Sequence, residues 1–271
     1  MNFPPEVARL VEMALAEDIG TGDITSQLTV PAERMAEGKF HARADLVVAG
    51  IELLHLTMGA DVKLRKQTGD AAVEGEVIAT VRGPARHLLE RERVSLNFLQ
   101  RLCGIATLAR EYARQVAHTK CRVLDTRKTT PGWRWLEKMA ARAGGVTNHR
   151  QGLYDGVLIK NNHIAAAGGV TAALRNASES VLPVEIEVRT FDELNEALAG
   201  GATRLLLDNL TPEEAKRWID HVDGRASCEI SGGVTLATVR AYAEAGADFV
   251  SCGAITHSAT AVDLNFRIQL L

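Results

Sequence analysis

The chain has 271 residues, of which 46% are hydrophobic and 24% charged, a composition that excludes disordered, collagen-like and disulfide-rich classes. Its net charge of −3 provides no basic surplus for a polyanion, so we expect no nucleic-acid partner. The longest stretches without a charged residue, 161–174 and 249–262, are too short to cross a membrane. The N-terminus lacks an export signal and the four cysteines are far apart, so we expect a cytoplasmic protein with buried thiols.

The first hundred residues predict a small α+β unit. An amphipathic pattern after Pro4 and Pro5 predicts a helix over 6–17, which ends in a turn-rich segment at 18–23. Three β-like runs follow at 38–49, 61–66 and 76–81, with a short helix predicted at 51–58. Residues 86–117 are helical in pattern, with an interruption expected at 103–104. We expect the domain boundary in this helical region.

Beyond residue 120, short apolar runs alternate with helical segments. The runs are CRVLD, DGVLIK, VEIEV, RLLLD, CEIS and DFVSC. Their polar ends recur at a nearly constant spacing, because Asp208, Ser231 and Gly253 follow one another by 23 and 22 residues. Strands buried on both faces and separated by single helices are typical of parallel β/α architecture, and constant spacing favours a barrel, complete or incomplete. A doubly wound sheet is the alternative, although no G-x-G-x-x-G follows a strand.

Polar residues follow every one of these strands, as they do at barrel active sites. Between residues 126 and 161 there are seven Lys and Arg residues against two acids, which predicts a binding site for a small anion. The candidates nearest strand ends or the loop at 144–150 are Arg127, Lys128, His149, Arg150 and Lys160. A second set with helical spacing is expected on a solvated helix face: Arg134, Lys138 and Arg142.

The later strands carry acids and glycines. Glu185 and Glu187 point to the same side of their strand, and together with Asp208 they suggest a Mg²⁺ site near phosphate oxygens. For Glu185 alone, an ion pair with a neighbouring Arg is an equal alternative. Turns rich in glycine after the last two strands, at 231–233 and 253–257, predict a phosphate site built from backbone N–H groups.

In chain order, these segments resemble the quinolinate phosphoribosyltransferase family over essentially the whole chain. The motifs are ERVSLNFLQRLCGIAT, LDTRKTTPGWRWLEK, GGVTNHRQGLYDGVLIKNNH, VEIEV, LLLDN, SGGV and SCGAITHS. The resemblance implies a type II phosphoribosyltransferase fold: an N-terminal α/β sandwich domain over 1–105, joined by 264–271, and an open, incomplete TIM-like α/β barrel over 106–263. It implies a pentosyltransferase of de novo NAD biosynthesis, which condenses quinolinate with 5-phosphoribosyl-1-diphosphate to nicotinate mononucleotide, CO₂ and diphosphate. Mg²⁺ as cofactor and a homodimer or dimer-based oligomer are implied as well.

The resemblance also assigns roles to individual residues. The catalytic set is Lys128, Lys160, Glu187 and Asp208, with Glu187 and Asp208 also as metal ligands. The substrate-binding set is Arg93, contributed in trans by the neighbouring subunit, with Arg127, His149, Arg150, Ser231, Gly232, Gly233, Gly253 and His257. Two positions depart from the family pattern, because Asn161 stands where Asp is usual and Cys103 where Ser is usual.

Two other functions remain open at this point. A divergent paralogue, of the kind associated with molybdate transport genes, would accept a different acid or base. A barrel that binds phosphorylated metabolites without turnover would act as a sensor or scaffold.

Overall fold

A computed structural model describes residues 3–271, which form two compact units. The first unit comprises 3–110, 130–145 and 258–271, and the second comprises 111–129 and 146–257. Met1 and Asn2, which belong to the expected domain 1–105 and to the segment in which no export signal was expected, lie outside the described residues. The boundary expected at residue 105 falls inside a continuous helix, Ala85–Val116.

The elements are numbered in chain order. The helices are α1 Pro5–Ile19, α2 Ile24–Thr29, α3 Leu54–Thr57 after a 3-10 turn at Ile51–Leu53, α4 Ala85–Val116, α5 Arg134–Ala143, α6 Asn161–Ala167, α7 Val170–Ala177, α8 Phe191–Ala199, α9 Pro212–Val222, α10 Val239–Glu244 and α11 Ala254–His257. The strands are β1 Met35–Ala42, β2 Leu46–Val47, β3 Asp61–Leu64, β4 Ala71–Ala72, β5 Val77–Pro84, β6 Arg122–Leu124, β7 Val157–Ile159, β8 Val184–Val188, β9 Arg204–Asp208, β10 Ser227–Ser231, β11 Phe249–Ser251 and β12 Leu264–Leu270.

The first unit is built on an antiparallel sheet in the order β12-β1-β5-β3. The C-terminal strand β12 pairs with β1 from Ala36 opposite Leu270 to Ala42 opposite Leu264. Alternate residues of β1 are buried, and Phe40 packs against Phe266 with ring centroids 4.7 Å apart. The predicted run at 38–49 is therefore two strands, β1 and the short β2, which pairs with β4.

Helix α4 is continuous where an interruption was expected at 103–104. Gly104 is a close-contact position, because a Cβ there would lie 3.0 Å from the carbonyl carbon of Thr260 and 3.1 Å from Cα of Ala261. Because Gly104 has no side chain, the backbone at Thr260 and Ala261 can pack directly against it, and the helix does not break. Cys103, in the preceding position, is fully buried and its Sγ accepts the N–H of Ala49 at 3.3 Å.

Lys138 is not on a solvated helix face, and that expectation is wrong for this residue. Its exposed fraction is 1%, and the adjacent Glu137 is fully buried. The carboxylate of Glu137 accepts hydrogen bonds from Arg101 Nη2 at 2.9 Å and Thr130 Oγ1 at 2.8 Å. Helical spacing identifies side chains that share a face, but it does not establish whether that face meets water. Arg142, from the same set, is exposed.

The second unit is a parallel sheet in the order β6-β11-β10-β9-β8-β7. Strands β7 to β11 are adjacent in the sheet in the same order as in the chain, and β6 lies beside β11. This strand order is that of a barrel, whereas a doubly wound sheet reverses its direction part-way. On the outer side of β6, Thr147 forms a single parallel bridge with Leu124. Within the described residues the sheet does not close, so the expected open barrel is confirmed.

No helix in the described part of the chain has the length and apolar character to span a membrane. All four cysteines are free and buried, as the sequence predicts. Burial raises the pKa of each of their thiols to about 12, which leaves them protonated at neutral pH.

The close approach at Gly104 predicts a stability effect. We expect Gly104→Ala to lower the free energy of unfolding by about 1–3 kcal/mol, because the added methyl group meets backbone that cannot move independently. Gly83→Ala is the matched control, since a Cβ there would lie at ordinary contact distance, 3.5 Å, from Ala60 Cβ. Urea unfolding of both variants measures the difference. Equal stabilities would show that the backbone near Thr260 relaxes freely.

Candidate functional site

Six parallel strands bring their carboxyl ends to one edge of the second unit. A cavity of about 290 Å³ lies there. It is lined by Thr126, Arg127, Lys128, His149, Arg150, Leu158, Lys160, Leu206, Glu229, Ser231 and Ser251. The five cationic candidates of the sequence, together with Ser231, are therefore in one place.

Asp125 holds the loop that carries His149. It directly follows β6 and is fully buried. Its carboxylate accepts hydrogen bonds from Asn148 Nδ2 at 2.5 Å and from the backbone N–H of His149 at 2.8 Å. A buried carboxylate needs such donors, so the position of the loop follows from the burial of Asp125.

The side chain of Arg150 is fixed by its own loop. Its Nη1 donates to the carbonyl oxygen of Gly156 at 3.0 Å. Burial, followed by the positive charge of Arg127, lowers the pKa of Arg150. Arg127 lacks a hydrogen-bond partner at its buried Nε among the described residues. Two guanidinium groups that repel each other beside a cavity create a site that an anion would stabilise.

His149 lies between two buried carboxylates. Its Nε2 is 3.2 Å from Glu185 Oε2 and 3.5 Å from Glu229 Oε2. The partner of Glu185 is thus a histidine, whereas the sequence suggested an Arg or a metal. Glu229, only 1% exposed, was not singled out from the sequence. The sequence feature that could have identified Glu229 is its position two residues before Ser231 on the same strand, which places both side chains on the inward side.

The two carboxylates control the protonation of His149. Burial alone would lower its pKa, but the carboxylates of Glu185 and Glu229, as hydrogen-bond acceptors for Nε2–H and as negative charges, outweigh burial and raise the pKa from 6.5 to about 9. The backbone N–H of Arg150 donates to Nδ1 at 2.7 Å, so the neutral ring carries its hydrogen on Nε2, and protonation to the cation competes with this bond at Nδ1.

The raised pKa of His149 makes the stability of the fold depend on pH. Because this pKa is raised on folding, the ion pairs stabilise the fold below pH 6.5, and this contribution is lost as the pH rises through about 9. Burial raises the pKa of Glu229.

Glu187 and Asp208 form a second acidic group, which two cations contact. Lys160 Nζ lies 3.7 Å from Glu187 Oε2. Arg189 contacts both acids, with Nη2 3.2 Å from Glu187 Oε1 and Nε 3.4 Å from Asp208 Oδ2. Arg189 was missed by the sequence reasoning, although it lies two positions after Glu187 and so continues on the same side of the chain. Glu187 Oε1 is buried and has no hydrogen bond among the described residues, so the guanidinium group of Arg189 neutralises it as an ion pair without a hydrogen bond.

The glycine-rich turns make close backbone approaches. Gly232 has φ +95°, and a Cβ there would lie 2.9 Å from the backbone nitrogen of Asn209, so a larger residue would collide with the end of β9. At Gly253 a Cβ would lie 2.9 Å from Lys128 Cδ and 3.1 Å from the ring of His257. Gly253, Lys128 and His257 are therefore neighbours, although the resemblance assigns Lys128 to the quinolinate and diphosphate pocket and the other two to the 5-phosphate site.

Arg93 lies on α4 in the first unit and is exposed. The residues that line the cavity all belong to the second unit. The contribution of Arg93 to a neighbouring subunit stays a prediction.

The carboxylates around His149 can be tested one at a time. We expect Glu229→Gln to lower the pKa of His149 by about 1–3 units, because Gln keeps the shape of the side chain and removes its charge. An imidazole titration followed by NMR measures the shift. Glu244→Gln is the control, because Glu244 lies 3.0 Å from the exposed His118 and its loss should leave the titration of His149 unchanged. An unchanged His149 titration in Glu229→Gln would contradict the electrostatic assignment.

Family models and known proteins match this chain over nearly its full length. Residues 23–103 match the N-terminal domain and residues 105–267 the C-terminal domain of quinolinate phosphoribosyl transferase. A Bacillus subtilis protein named probable nicotinate-nucleotide pyrophosphorylase (carboxylating) is 40% identical, over 98% of this chain and 94% of its own length. A chloroplastic nicotinate-nucleotide pyrophosphorylase (carboxylating) from Arabidopsis thaliana is 39% identical over 97% of this chain and 83% of its own.

Solved structures agree with this assignment. The nicotinate-nucleotide pyrophosphorylase of Francisella tularensis superposes with a TM-score of 0.92 at 37% identity, over 99% of this chain and 98% of that one. The enzyme of the same name from Ehrlichia chaffeensis superposes with a TM-score of 0.93 at 34% identity, over 99% and 100%. With its open barrel and a cationic cavity at the carboxyl ends of the strands, the chain belongs to the quinolinate phosphoribosyl transferase family.

Proposed function

We propose that this protein condenses quinolinate with 5-phosphoribosyl-1-diphosphate to give nicotinate mononucleotide, CO₂ and diphosphate, the carboxylating pyrophosphorylase reaction of de novo NAD synthesis. The observation that carries the proposal is the cavity in which Arg127, Lys128, Arg150 and Lys160 converge next to the acids Glu187 and Asp208. Such a site suits a dicarboxylate and a diphosphate ester together. We place the reaction in the cytoplasm and in a homodimer or dimer-based oligomer.

Quinolinate is held by the guanidinium groups of Arg127 and Arg150, with His149 and Lys160 beside them. Charge-assisted hydrogen bonds from guanidinium to carboxylate fix both the position and the orientation of a planar acid. The carboxylates of Glu185 and Glu229 raise the pKa of His149, which favours its positively charged form. Orientation matters here, because the ring nitrogen must face the ribose carbon that it attacks.

The phosphoribosyl group is held at the other side of the cavity. Backbone N–H groups of the turn Ser231–Gly232–Gly233, together with Gly253 and His257, take the 5-phosphate. Lys128, beside Gly253, supplies a movable charge to the diphosphate. Glu187 and Asp208 face the ribose, where they stabilise the positive charge that develops at C1 as diphosphate leaves.

Mg²⁺ fits the acid pair. Glu187 Oε1 is a buried carboxylate oxygen without a hydrogen bond among the described residues, and carboxylate oxygens are the donors that Mg²⁺ prefers. Glu187 and Asp208 would hold the ion, which would neutralise charge on the departing diphosphate. Asn161, next to Lys160, keeps an oxygen acceptor but adds no negative charge.

The reaction needs no side-chain nucleophile. The pyridine nitrogen forms a bond to C1 of the ribose as the bond from C1 to the diphosphate oxygen breaks, and the oxygen keeps that electron pair. The nitrogen becomes a pyridinium cation. The adjacent carboxylate then leaves as CO₂, and the electron pair that remains on carbon is stabilised by the pyridinium until it takes a proton. The protein contributes charge and alignment.

Release of labelled CO₂ from quinolinate, with and without phosphoribosyl diphosphate and Mg²⁺, tests the proposal. Release that requires phosphoribosyl diphosphate supports it. Turnover of nicotinate instead of quinolinate would favour the divergent paralogue, and binding of both ligands without CO₂ would favour the sensor.

The cationic residues of the cavity give a mutational test. We expect Arg127→Ala, Arg150→Ala and Lys160→Ala each to lower kcat/KM for quinolinate more than tenfold, because a lost charged hydrogen bond costs about 1.5–3 kcal/mol. Arg217→Ala, on the exposed side of α9, is the control and should have normal kinetics. Near-normal turnover in all three cavity variants would contradict the site.

Arg93 is proposed to act in trans, and subunit mixing tests this. Homodimers of Arg93→Ala and of Lys128→Ala should both be nearly inactive. A mixed dimer should regain activity, because one of its two sites combines an intact Arg93 with an intact Lys128. Mixed subunits that exchange and stay inactive would show that Arg93 does not serve a neighbour.

A further inference from the structure

We propose that Arg189 is a built-in counter-ion of Glu187 and Asp208, which a divalent cation must displace, so that cation binding depends on the arrival of diphosphate. The inference rests on the proposed function. It assigns to Arg189 a role in tuning the cation site, next to the residues that would hold the ion.

The contacts of Arg189 carry the first step. One guanidinium group reaches both acids, with Nη2 3.2 Å from Glu187 Oε1 and Nε 3.4 Å from Asp208 Oδ2. The oxygen it approaches on Glu187 is the buried one that has no hydrogen bond among the described residues. Arg189 therefore lies against the oxygen that a metal ion would use, and the two cations compete for it.

The charges in this group balance. Glu187 and Asp208 contribute two negative charges, and Arg189 and Lys160 contribute two positive charges. Asn161 adds no further negative charge beside Lys160. A divalent cation that entered while both cations stayed would leave two uncompensated positive charges. Glu187 and Asp208 alone should therefore bind a free metal ion weakly.

Arg189 can leave only by moving. A guanidinium group stays protonated in proteins, so no change of pH within the physiological range removes its charge. Its side chain is 48% exposed, which leaves room for another rotamer. Its backbone is anchored, because its N–H donates to Glu193 Oε2 at 2.8 Å and the following Thr190 caps α8. The side chain can swing away while the strand end stays in place.

Diphosphate changes the balance. Its negative charges compensate the incoming divalent cation, and its oxygens offer the displaced guanidinium group a bidentate partner. Each ligand therefore raises the affinity for the other, and the coupling is reciprocal. With the native Arg189, free cation binds weakly and cation with diphosphate binds well.

Mn²⁺ is a suitable probe, since it shares with Mg²⁺ a preference for carboxylate and phosphate oxygens, and its unbound form is measured by EPR. We would titrate the full-length protein with Mn²⁺, with and without inorganic diphosphate, as wild type, Arg189→Gln and Arg189→Lys. Without diphosphate, Arg189→Gln should bind Mn²⁺ about tenfold more tightly, because one opposing charge within 4 Å is gone. The factor by which diphosphate improves Mn²⁺ binding should fall in this variant.

Two comparisons decide the outcome. Arg189→Lys keeps the charge and should stay close to wild type, and Arg217→Gln, at an exposed position of α9, should have no effect. Unchanged or weaker Mn²⁺ binding in Arg189→Gln overturns the proposal, as does a Lys variant that behaves like the Gln variant. CO₂ release by the wild type is measured separately. A wild type that releases CO₂, combined with unaltered Mn²⁺ binding in Arg189→Gln, overturns the role of Arg189 alone, and a wild type without CO₂ release overturns the proposed function.

Discussion

Carboxylates buried at the inner side of a parallel sheet are the constraint on which the site depends. Asp125, Glu185, Glu187 and Glu229 are all nearly inaccessible to water. A buried charge is costly unless it is paired or hydrogen-bonded, so each acid requires a donor at close range. Asp125 takes backbone and amide donors and thereby fixes the loop that carries His149. Glu185 and Glu229 lie within ion-pair distance of His149, and Glu187 lies within ion-pair distance of Lys160 and Arg189.

The acids form two clusters that respond differently to conditions. Glu185 and Glu229 surround His149, whose imidazole can gain or lose a proton, so this cluster is sensitive to pH. Glu187 and Asp208 share Arg189, which keeps its charge at any physiological pH. Only movement or a competing cation can change the charge balance of this second cluster. Glu185 and Glu187, at alternate positions on β8, thus differ in chemistry, because Glu185 pairs with a histidine and Glu187 with Lys160 and Arg189.

The strands of the second unit were predictable because they are buried on both faces. VEIEV and RLLLD coincide with β8 and β9 residue for residue. What the sequence could not show were partners distant along the chain. The backbone of Thr260 packs against Gly104, through which α4 continues, and the pairing of Glu229 with His149 joins residues 80 positions apart. The periodicity of a strand shows which side of the sheet a residue faces. Which charges compensate that residue depends on the other elements that pack against the same side.

The distribution of unpaired charge explains why the site suits polyanionic substrates. Among the described residues, no carboxylate forms an ion pair with Arg127 or Lys128, although both line the cavity. Lys160 and Arg189, in contrast, already have acidic partners. One side of the site therefore carries an uncompensated positive charge for carboxylates and phosphates, and the other is neutral until a substrate or a cation alters it. Two substrates, one a dicarboxylate and the other a diphosphate ester, gain most from this division, because they meet two different electrostatic environments.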